Sequence, residues 1–507
     1  MKKFIIASAL MLAILPALRI NAEESKKAQD LPEAKLGWKL SSQAWSFRHN
    51  TMFETLDQLK KLGIKYIEIF PGQRICKQSN DRNYPGLSDA MIKKIKAKMK
   101  ECGVTPVAFG VVGLPTNNEK ECRKIFEHAK KFGIKTILSE PELKDSHLDM
   151  LEKLAEEYKI NVAIHNHPKN SRYWHPDIVL KALKGRSNRL GAAADTGHWV
   201  RSGLDPVECL KKYQGRLLHL HFKDLKAKSP RTHDVPWGTG VSNAAAQLAE
   251  LRRQNFQGNI SMEYEKWDRK FSELEQNVKF FREQAKKLQK VQPEWDILFD
   301  GKNLDNFNCK PNGWYVNKNG EISFKWGCDF LWTKKQYGNF RLELEVKLDK
   351  NTNSGIFLRT ASKRNWLHTG IEIQVRDSFG QNPGKHSAGA VYDLVAARVN
   401  AVRPAGKWNR YVVDCQDNKI KVTLNDIDII DMDVNKWDKN GKNPDGSKNK
   451  FRTAIKNWKR KGFIGFQDHK TNVWYRNIRI KDYDEIKKRK EAAKKSKKAC
   501  TSCGCGK

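Results

Sequence analysis

At 507 residues with 39% apolar side chains, the chain is too long for one ordinary domain and carries enough apolar material for two or three cores. Its formal charge of +37 raises nucleic acid as a partner, but the lysines are scattered over predicted helix faces, which favours a solvated surface with no nucleic-acid role. The ten cysteines show no framework spacing, so a disulfide-built scaffold is excluded.

Residues 1–22 read as a secretory signal peptide: Lys2 and Lys3 precede a short apolar run, and Ile20-Asn21-Ala22 suits cleavage before Glu23. No cysteine follows to carry a lipid, and no other segment could span a bilayer. The expectation is a periplasmic or secreted protein. Over residues 36–288, short apolar runs alternate with amphipathic helical stretches. The runs are KLSSQAW, KYIEIF, VTPVAFG, KTILSE, NVAIHN, RLGAAAD, LLHLHF and NISMEY. Between the first four lie helix patterns that end at Gly63, Gly103 and Gly133, with Ser88 as an N-cap. Eight strands, each followed by a helix, predict a parallel (β/α)8 TIM barrel; a doubly wound open sheet is the alternative, weakened by the lack of a Gly-rich fingerprint after the first strand.

In such a barrel the strand C-termini build the site. Those ends supply Glu68, Glu140, His165 with Asn166 and His167, Asp195 with His198, His219 with His221, Lys223 and Asp224, and Glu263 with Glu265. Packing does not explain so many buried ionisable groups, because each is costly unless paired or bound to a cation. A mixed nitrogen and oxygen set suits Mn²⁺, Co²⁺, Fe²⁺ or Zn²⁺ better than Ca²⁺. In LLHLHF, His219 and His221 share one face of the strand.

ADTGHW, HLHFKD and SMEYE resemble the xylose-isomerase-like TIM barrels of the sugar isomerase/epimerase superfamily. The resemblance implies a divalent metal, Mn²⁺ first, on Asp195, His221 and Glu263, with His198 beside the substrate. Where the family shows a Glu on the fifth strand this chain has His165, and Glu140 is the carboxylate that could replace it. Loss of that Glu removes one of two opposed acid/base groups and weighs against a two-base inversion. His167 is expected to contact substrate, His219 either to contact substrate or to support the ligands from behind, and Lys223 or Glu68 to help electrostatically. Lys223 has an ion pair with Asp224 as its alternative.

After a linker, KLQKVQPEW, the pattern turns to period-two strands between Gly and Asn turns: FRLELEVKL, SGIFLRT, GIEIQVR, GAVYDLV, NRYVVDC, NKIKVTLN, GFIGFQD and VWYRNIRIK. Residues 295–482 are expected to form an antiparallel β-sandwich. LFDGKNLDNF, NSGIFLRT, GIEIQVRDS, GAVYDL, PAGKWNRY and GFQDHKTNVWYRNIRI resemble the 3-keto-disaccharide hydrolase-type domain, which implies a concanavalin-like jelly roll. Glu372 is the candidate acid/base there. Arg359, Gln374, Asp377, Tyr392 and His469 are the candidate substrate contacts. The remainder, 483–507, is a basic tail with Cys500, Cys503 and Cys505, expected to be disordered.

Together the resemblances imply an exported enzyme that cleaves 3-keto-glycosides. The barrel would abstract a proton with metal assistance, through His198 or Glu263, and the sandwich would hydrate or hydrolyse the product. A separate sugar 3-dehydrogenase would supply the ketone. The alternatives are a sugar isomerase or epimerase with the sandwich as a carbohydrate-binding module, and an apurinic endonuclease, which the export signal opposes.

Overall fold

The computed structural model describes residues 31–502, with side chains described through 495. The expected signal peptide, Cys503 and Cys505 lie outside the described residues. Two compact units are present, one built chiefly from residues up to Pro293 and one from Glu294 onward. Among the described residues, no helix is long and apolar enough to cross a membrane.

In the first unit eight parallel strands close on themselves: β1 (Trp38–Gln43), β2 (Tyr66–Ile69), β3 (Thr105–Phe109), β4 (Thr136–Ser139), β5 (Asn161–Ile164), β6 (Leu190–Asp195), β7 (Leu217–Phe222) and β8 (Gly258–Met262). β1 pairs with β8 from Trp38 against Gly258 to Ser42 against Met262, so the open-sheet alternative falls. Local chemistry sets the connecting helices. Thr51 and Glu54 form a capping box for the helix Met52–Leu62, and Gly63 ends it at φ 65°. Ser88 accepts from the Met91 N–H at the start of Asp89–Cys102.

Strand alternation divides the barrel chemically. Ile67, Ile69, Val162, Ile164, Leu220, Phe222, Ile260 and Met262 face outward and join the core beneath the helices. The intervening positions face inward. Low in the barrel they are Val107, Leu138, Ala163 and Ala193, which form their own small cluster. Toward the C-terminal ends they become Gln43, Glu68, His165, Asp195, His219, His221, Ser261 and Glu263, all buried.

The second unit is a two-sheet sandwich. Its strands are β9 (Asp296–Phe299), β10 (Phe307–Asn308), β11 (Trp314–Val316), β12 (Ile322–Phe324), β13 (Leu331–Thr333), β14 (Phe340–Leu348), β15 (Asn353–Thr360), β16 (Ile371–Arg376), β17 (Trp408–Gln416), β18 (Lys419–Leu424), β19 (Ile427–Asp433), β20 (Phe463–Phe466) and β21 (Val473–Asp482). One sheet has the order β10-β13-β20-β15-β16. The other has the order β11-β12-β21-β14-β17-β18-β19, with β9 beside β21. GAVYDLV is not a strand. Gly389 and Asp393 take positive φ values of 77° and 61°, and Val391 bonds back to Val395 in a tight turn. Tyr483–Ser502, expected to be disordered, is a helix that opens with Asp484 and Glu485 in its first turn, where they oppose the helix dipole.

Candidate metal centre and a second candidate site

At the tip of the barrel, donors from β5, β6, β7 and β8 converge. His165 Nε2 lies 3.2 Å from His221 Nδ1. Asp195 Oδ2 is 3.7 Å from His165 Nε2 and 3.8 Å from His221 Nδ1. Glu263 Oε2 is 3.0 Å from His221 Nδ1. His165, Asp195 and His221 thus offer three ligand atoms close enough to share one ion.

The far side of each imidazole decides its tautomer. His221 Nε2 is 3.0 Å from both Glu68 oxygens, so it donates there and leaves Nδ1 bare. His165 Nδ1 is 3.2 Å from Glu140 Oε1, which leaves its Nε2 bare. Two bare nitrogens then face each other beside two carboxylates. Such an arrangement is stable only with positive charge among them. A second proton on His221 Nδ1 is one source of it: burial opposes that charge, yet Glu68 and Glu263 outweigh burial and lift the His221 pKa well above the ordinary imidazole value, and a divalent cation would take that proton's place. The donor set therefore fits a divalent cation held by His165, Asp195, His221 and Glu263, with Glu68 and Glu140 orienting the two rings.

A fixed cation stands beside this cradle. Lys223 Nζ, fully buried, is 2.9 Å from Asp195 Oδ2, 2.8 Å from Glu263 Oε2 and 3.0 Å from Glu265 Oε2. Burial disfavours its charge, but the three carboxylates hold its pKa well above the usual value. Asp195 also caps the helix Thr196–Arg201 by accepting from the His198 N–H at 2.8 Å. Gly197 is required there, since a β-carbon would lie 2.7 Å from Lys223 Cδ. Arg201, one turn along, donates to His198 Nδ1 (3.1 Å) and Glu265 Oε2 (2.7 Å) and pairs with Asp234 Oδ2 at 3.3 Å. Burial lifts the Asp234 carboxyl to about 7.

The second unit has its own cluster on β16. Ile371, Ile373 and Val375 enter the sandwich core, so Glu372 and Gln374 face the other way. Glu372 is 9% exposed, and burial pushes its carboxyl up to about 8. Gly355 on β15 makes room for it; a β-carbon there would lie 2.3 Å from Glu372 Oε1. Gln374 donates to Asn353 Oδ1 (2.7 Å), while its own Oε1 is buried and unpartnered. Phe330, Trp332 and Phe357, with Trp366 against them, form an aromatic cluster separate from the core; Phe357 is the cross-strand neighbour of Glu372.

Comparison with known proteins places both units. A family model for the xylose isomerase-like TIM barrel matches residues 56–284, and one for the 3-keto-α-glucoside-1,2-lyase-like domain matches residues 294–481. The chain joins a xylose isomerase-like TIM barrel to a 3-keto-α-glucoside-1,2-lyase-like domain. A 3-keto-disaccharide hydrolase of Bacteroides thetaiotaomicron is 26% identical over 37% of this chain and 78% of its own length. An inosose dehydratase of Clostridium tetani is 35% identical over 19% of this chain; the match spans about a third of that relative, 33% of its length. An uncharacterised protein of Parabacteroides distasonis, known by crystal structure, is 37% identical over 49% of this chain and 99% of its own, with a TM-score of 0.41.

The barrel brings Asp195, His221, Glu263 and His165 together, and it separates other expected contacts from them. Glu140 binds the outer nitrogen of His165, so it faces away from the shared cradle. Glu68 is fully buried under His219, His221, Ser261 and Gln43, all four of which bond its carboxylate. His219 is likewise fully buried, with Nε2 on Glu68 (2.7 Å) and Ser261 (3.0 Å), so it is a support and not a substrate contact. His198 is a poor base: Arg201 occupies its Nδ1 lone pair, its Nε2 proton points toward Asp195 Oδ2 at 3.4 Å, and burial holds it neutral. Lys223 does not pair with Asp224, which instead accepts N–H bonds from Leu225, Gly238, Gly240 and Ser242 and folds the following loop. His167 remains at the mouth, its side chain 47% exposed, with Nδ1 on Glu140.

In the lyase-like domain, Tyr392 stays near Glu372 through its N–H bond to the Glu372 carbonyl (2.9 Å), and His469 stands 3.3 Å from Asn353 Nδ2. Arg359 does not join them. It takes a φ of 51° and spreads its guanidinium over the Gly338 and Asp417 carbonyls and Asn339 Oδ1. Asp377 clasps the Asn351 N–H at 2.9 Å and holds a turn. Sequence reasoning missed Arg201, Asp234 and Gln43; only Arg201 left a signal, three residues after His198.

The Glu372 carboxyl makes a sign-definite prediction. Its folded pKa of about 8 exceeds the ordinary 4.5, so its stabilising contribution is complete below 4.5 and lost as pH rises through 8. Glu372→Gln should therefore gain on the wild type by roughly 2–4 kcal/mol between about pH 5 and pH 9. Paired thermal melts across that range check it; a constant difference contradicts it.

Proposed function

We propose that this is a carbohydrate-processing enzyme that cleaves 3-keto-glycosides by elimination in the barrel and hydrates the unsaturated product in the lyase-like domain. The single observation that carries this reading is the meeting of His165 Nε2, Asp195 Oδ2, His221 Nδ1 and Glu263 Oε2 at the barrel tip. The names of the relatives, a keto-disaccharide hydrolase and inosose dehydratases, support carbohydrate carrying a ketone.

A ketone at carbon 3 acidifies the proton at carbon 2. His165, Asp195, His221 and Glu263 would hold a divalent ion, Mn²⁺ first among the candidates, which would supply stabilisation for negative charge developing on the sugar oxygens. His167 is the base best placed on this reading. Glu140 fixes its Nδ1 proton, which leaves Nε2 free at the mouth. Lys223 balances the Asp195, Glu263 and Glu265 carboxylates and helps hold the Asp195 and Glu265 carboxyls below their usual range. His198, holding its proton on Nε2, can donate a hydrogen bond but not accept a proton there. The electron pair from the carbon 2–hydrogen bond forms the carbon 1–carbon 2 double bond. The carbon 1–oxygen bond breaks, and the departing oxygen takes a proton. Water then adds at carbon 1 and a proton at carbon 2. Glu372, protonated near neutrality, is the acid for that second stage, with Phe357 as its cross-strand neighbour.

Epimerisation is the weaker reading because His165 stands where an opposed carboxylate base would be. The trap is Glu372→Gln. Given a 3-keto-glucoside, the wild type should yield the free keto sugar, whereas the variant should release the aglycone and accumulate the unsaturated keto sugar, followed by its near-ultraviolet absorbance. Retention of the aglycone by the wild type would sink the proposal.

A further inference from the structure

The barrel rim beside Glu265 carries two tryptophans that no core requires. Trp45, just after β1, is 42% exposed, and Trp267, shortly after β8, is 76% exposed. The Arg48 guanidinium carbon lies 5.7 Å from the Trp45 ring and 5.6 Å from the Trp267 ring, so one cation spaces the two indoles. His49 meets Trp267 edge-on at 4.6 Å, and Phe70 meets Trp45 edge-on at 5.3 Å, so both rings are held in place.

The pair is tied to the acid cluster from both sides. Arg48 Nη2 donates to the Glu265 carbonyl oxygen at 3.1 Å, and the Glu265 carboxylate meets Lys223. On the other side the backbone N–H of Trp45 donates to Gln43 Oε1 at 3.1 Å, and Gln43 Nε2 donates to Glu68 at 2.9 Å. Two exposed indoles held in place at the edge of a charged, buried cluster offer flat faces for a ring to stack on. On the chemistry proposed above, the reacting carbons would sit at the carboxylates, which leaves the rim for a part of the substrate away from them.

We infer that Trp45 and Trp267 form the subsite for the group on carbon 1 of the glycoside, and that this group presents a flat face, an arene or a second pyranose ring. The inference rests on the barrel chemistry proposed above. Arg48 supplies a donor between the rings for an oxygen of that group.

The test compares phenyl, glucosyl and methyl 3-keto-glucosides as substrates of the full-length protein. Trp267→Ala and Trp45→Ala should each lower the phenyl-to-methyl ratio of kcat/KM about tenfold, the equivalent of one lost ring stack. Trp326→Ala removes an indole from the other unit whose exposure, 65%, lies between those of Trp45 and Trp267, and should leave the ratio unchanged. A fall in the glucosyl-to-methyl ratio alone assigns the occupant as a sugar ring. Unchanged ratios in both rim variants overturn the subsite. Binding of unoxidised phenyl glucoside, read by tryptophan fluorescence, needs no turnover. Binding that depends on Trp267 in a protein without turnover keeps the subsite and sinks the barrel chemistry; normal turnover with unaffected ratios does the reverse.

Discussion

Asp195→Asn should fold normally and lose almost all turnover. Asparagine caps a helix as well as aspartate, so the bond from the His198 N–H to residue 195 survives and Thr196–Arg201 stays formed. What disappears is the charge on Oδ2, which faces His165, His198, His221 and Lys223 together. The surrounding cations outweigh burial and hold that carboxyl well below the usual aspartate range, a sign of how strongly the site uses its charge. Removing one partner from a buried charged set costs about 3–5 kcal/mol. Felt at the transition state, that is a loss of roughly 10²–10⁴ in kcat/KM. Steady-state kinetics with added Mn²⁺, beside a melting curve to show retained fold, measures it. Turnover within about tenfold of wild type would remove Asp195 from the chemistry.

Lys223→Met separates the built-in cation from the exchangeable one. Methionine keeps the volume of the stem against Gly197 but leaves Asp195, Glu263 and Glu265 facing one another without the ammonium. In the presence of a chelator the variant should be less stable than the wild type by about 3–5 kcal/mol. Added Mn²⁺ should restore most of that loss, because a ligand that binds only the folded state stabilises by mass action. The wild type, with Lys223 in place, should gain less from the metal. Melting curves with chelator and with Mn²⁺ decide the matter. Equal stability of the two proteins in chelator would mean that the ammonium does not balance the carboxylates.

These expectations depend on side chains whose convergence was readable from the strands but whose depth was not. Strand ends that carry Asp195, His221 and Glu263 are visible because period-two alternation puts every inward residue at a fixed offset from an outward apolar one. The same rule cannot tell that Glu68 and His219 are fully buried, so the helper role expected of Glu68 and the substrate contact open to His219 give way to supporting roles. Arg201 and Asp234 reach the site from a helix and a loop, where no periodicity points inward. In the lyase-like domain, alternation put Glu372 and Gln374 on one face correctly. Arg359 follows the same strand pattern, but its positive φ turns it off the sheet face and onto backbone carbonyls. β19 lies outside the runs read as strands, because the adjacent core residues Ile429 and Ile430 break its period-two alternation.

The account stands or falls on proton removal at carbon 2. The most direct measurement is NMR of the free 3-keto sugar released from a 3-keto-glucoside by the metal-supplemented full-length protein in D₂O, against an enzyme-free control. Elimination followed by hydration delivers a solvent deuteron to carbon 2 in every turnover. A product that keeps its original hydrogen at carbon 2 would show direct hydrolysis at carbon 1 and contradict the assignment of the barrel tip.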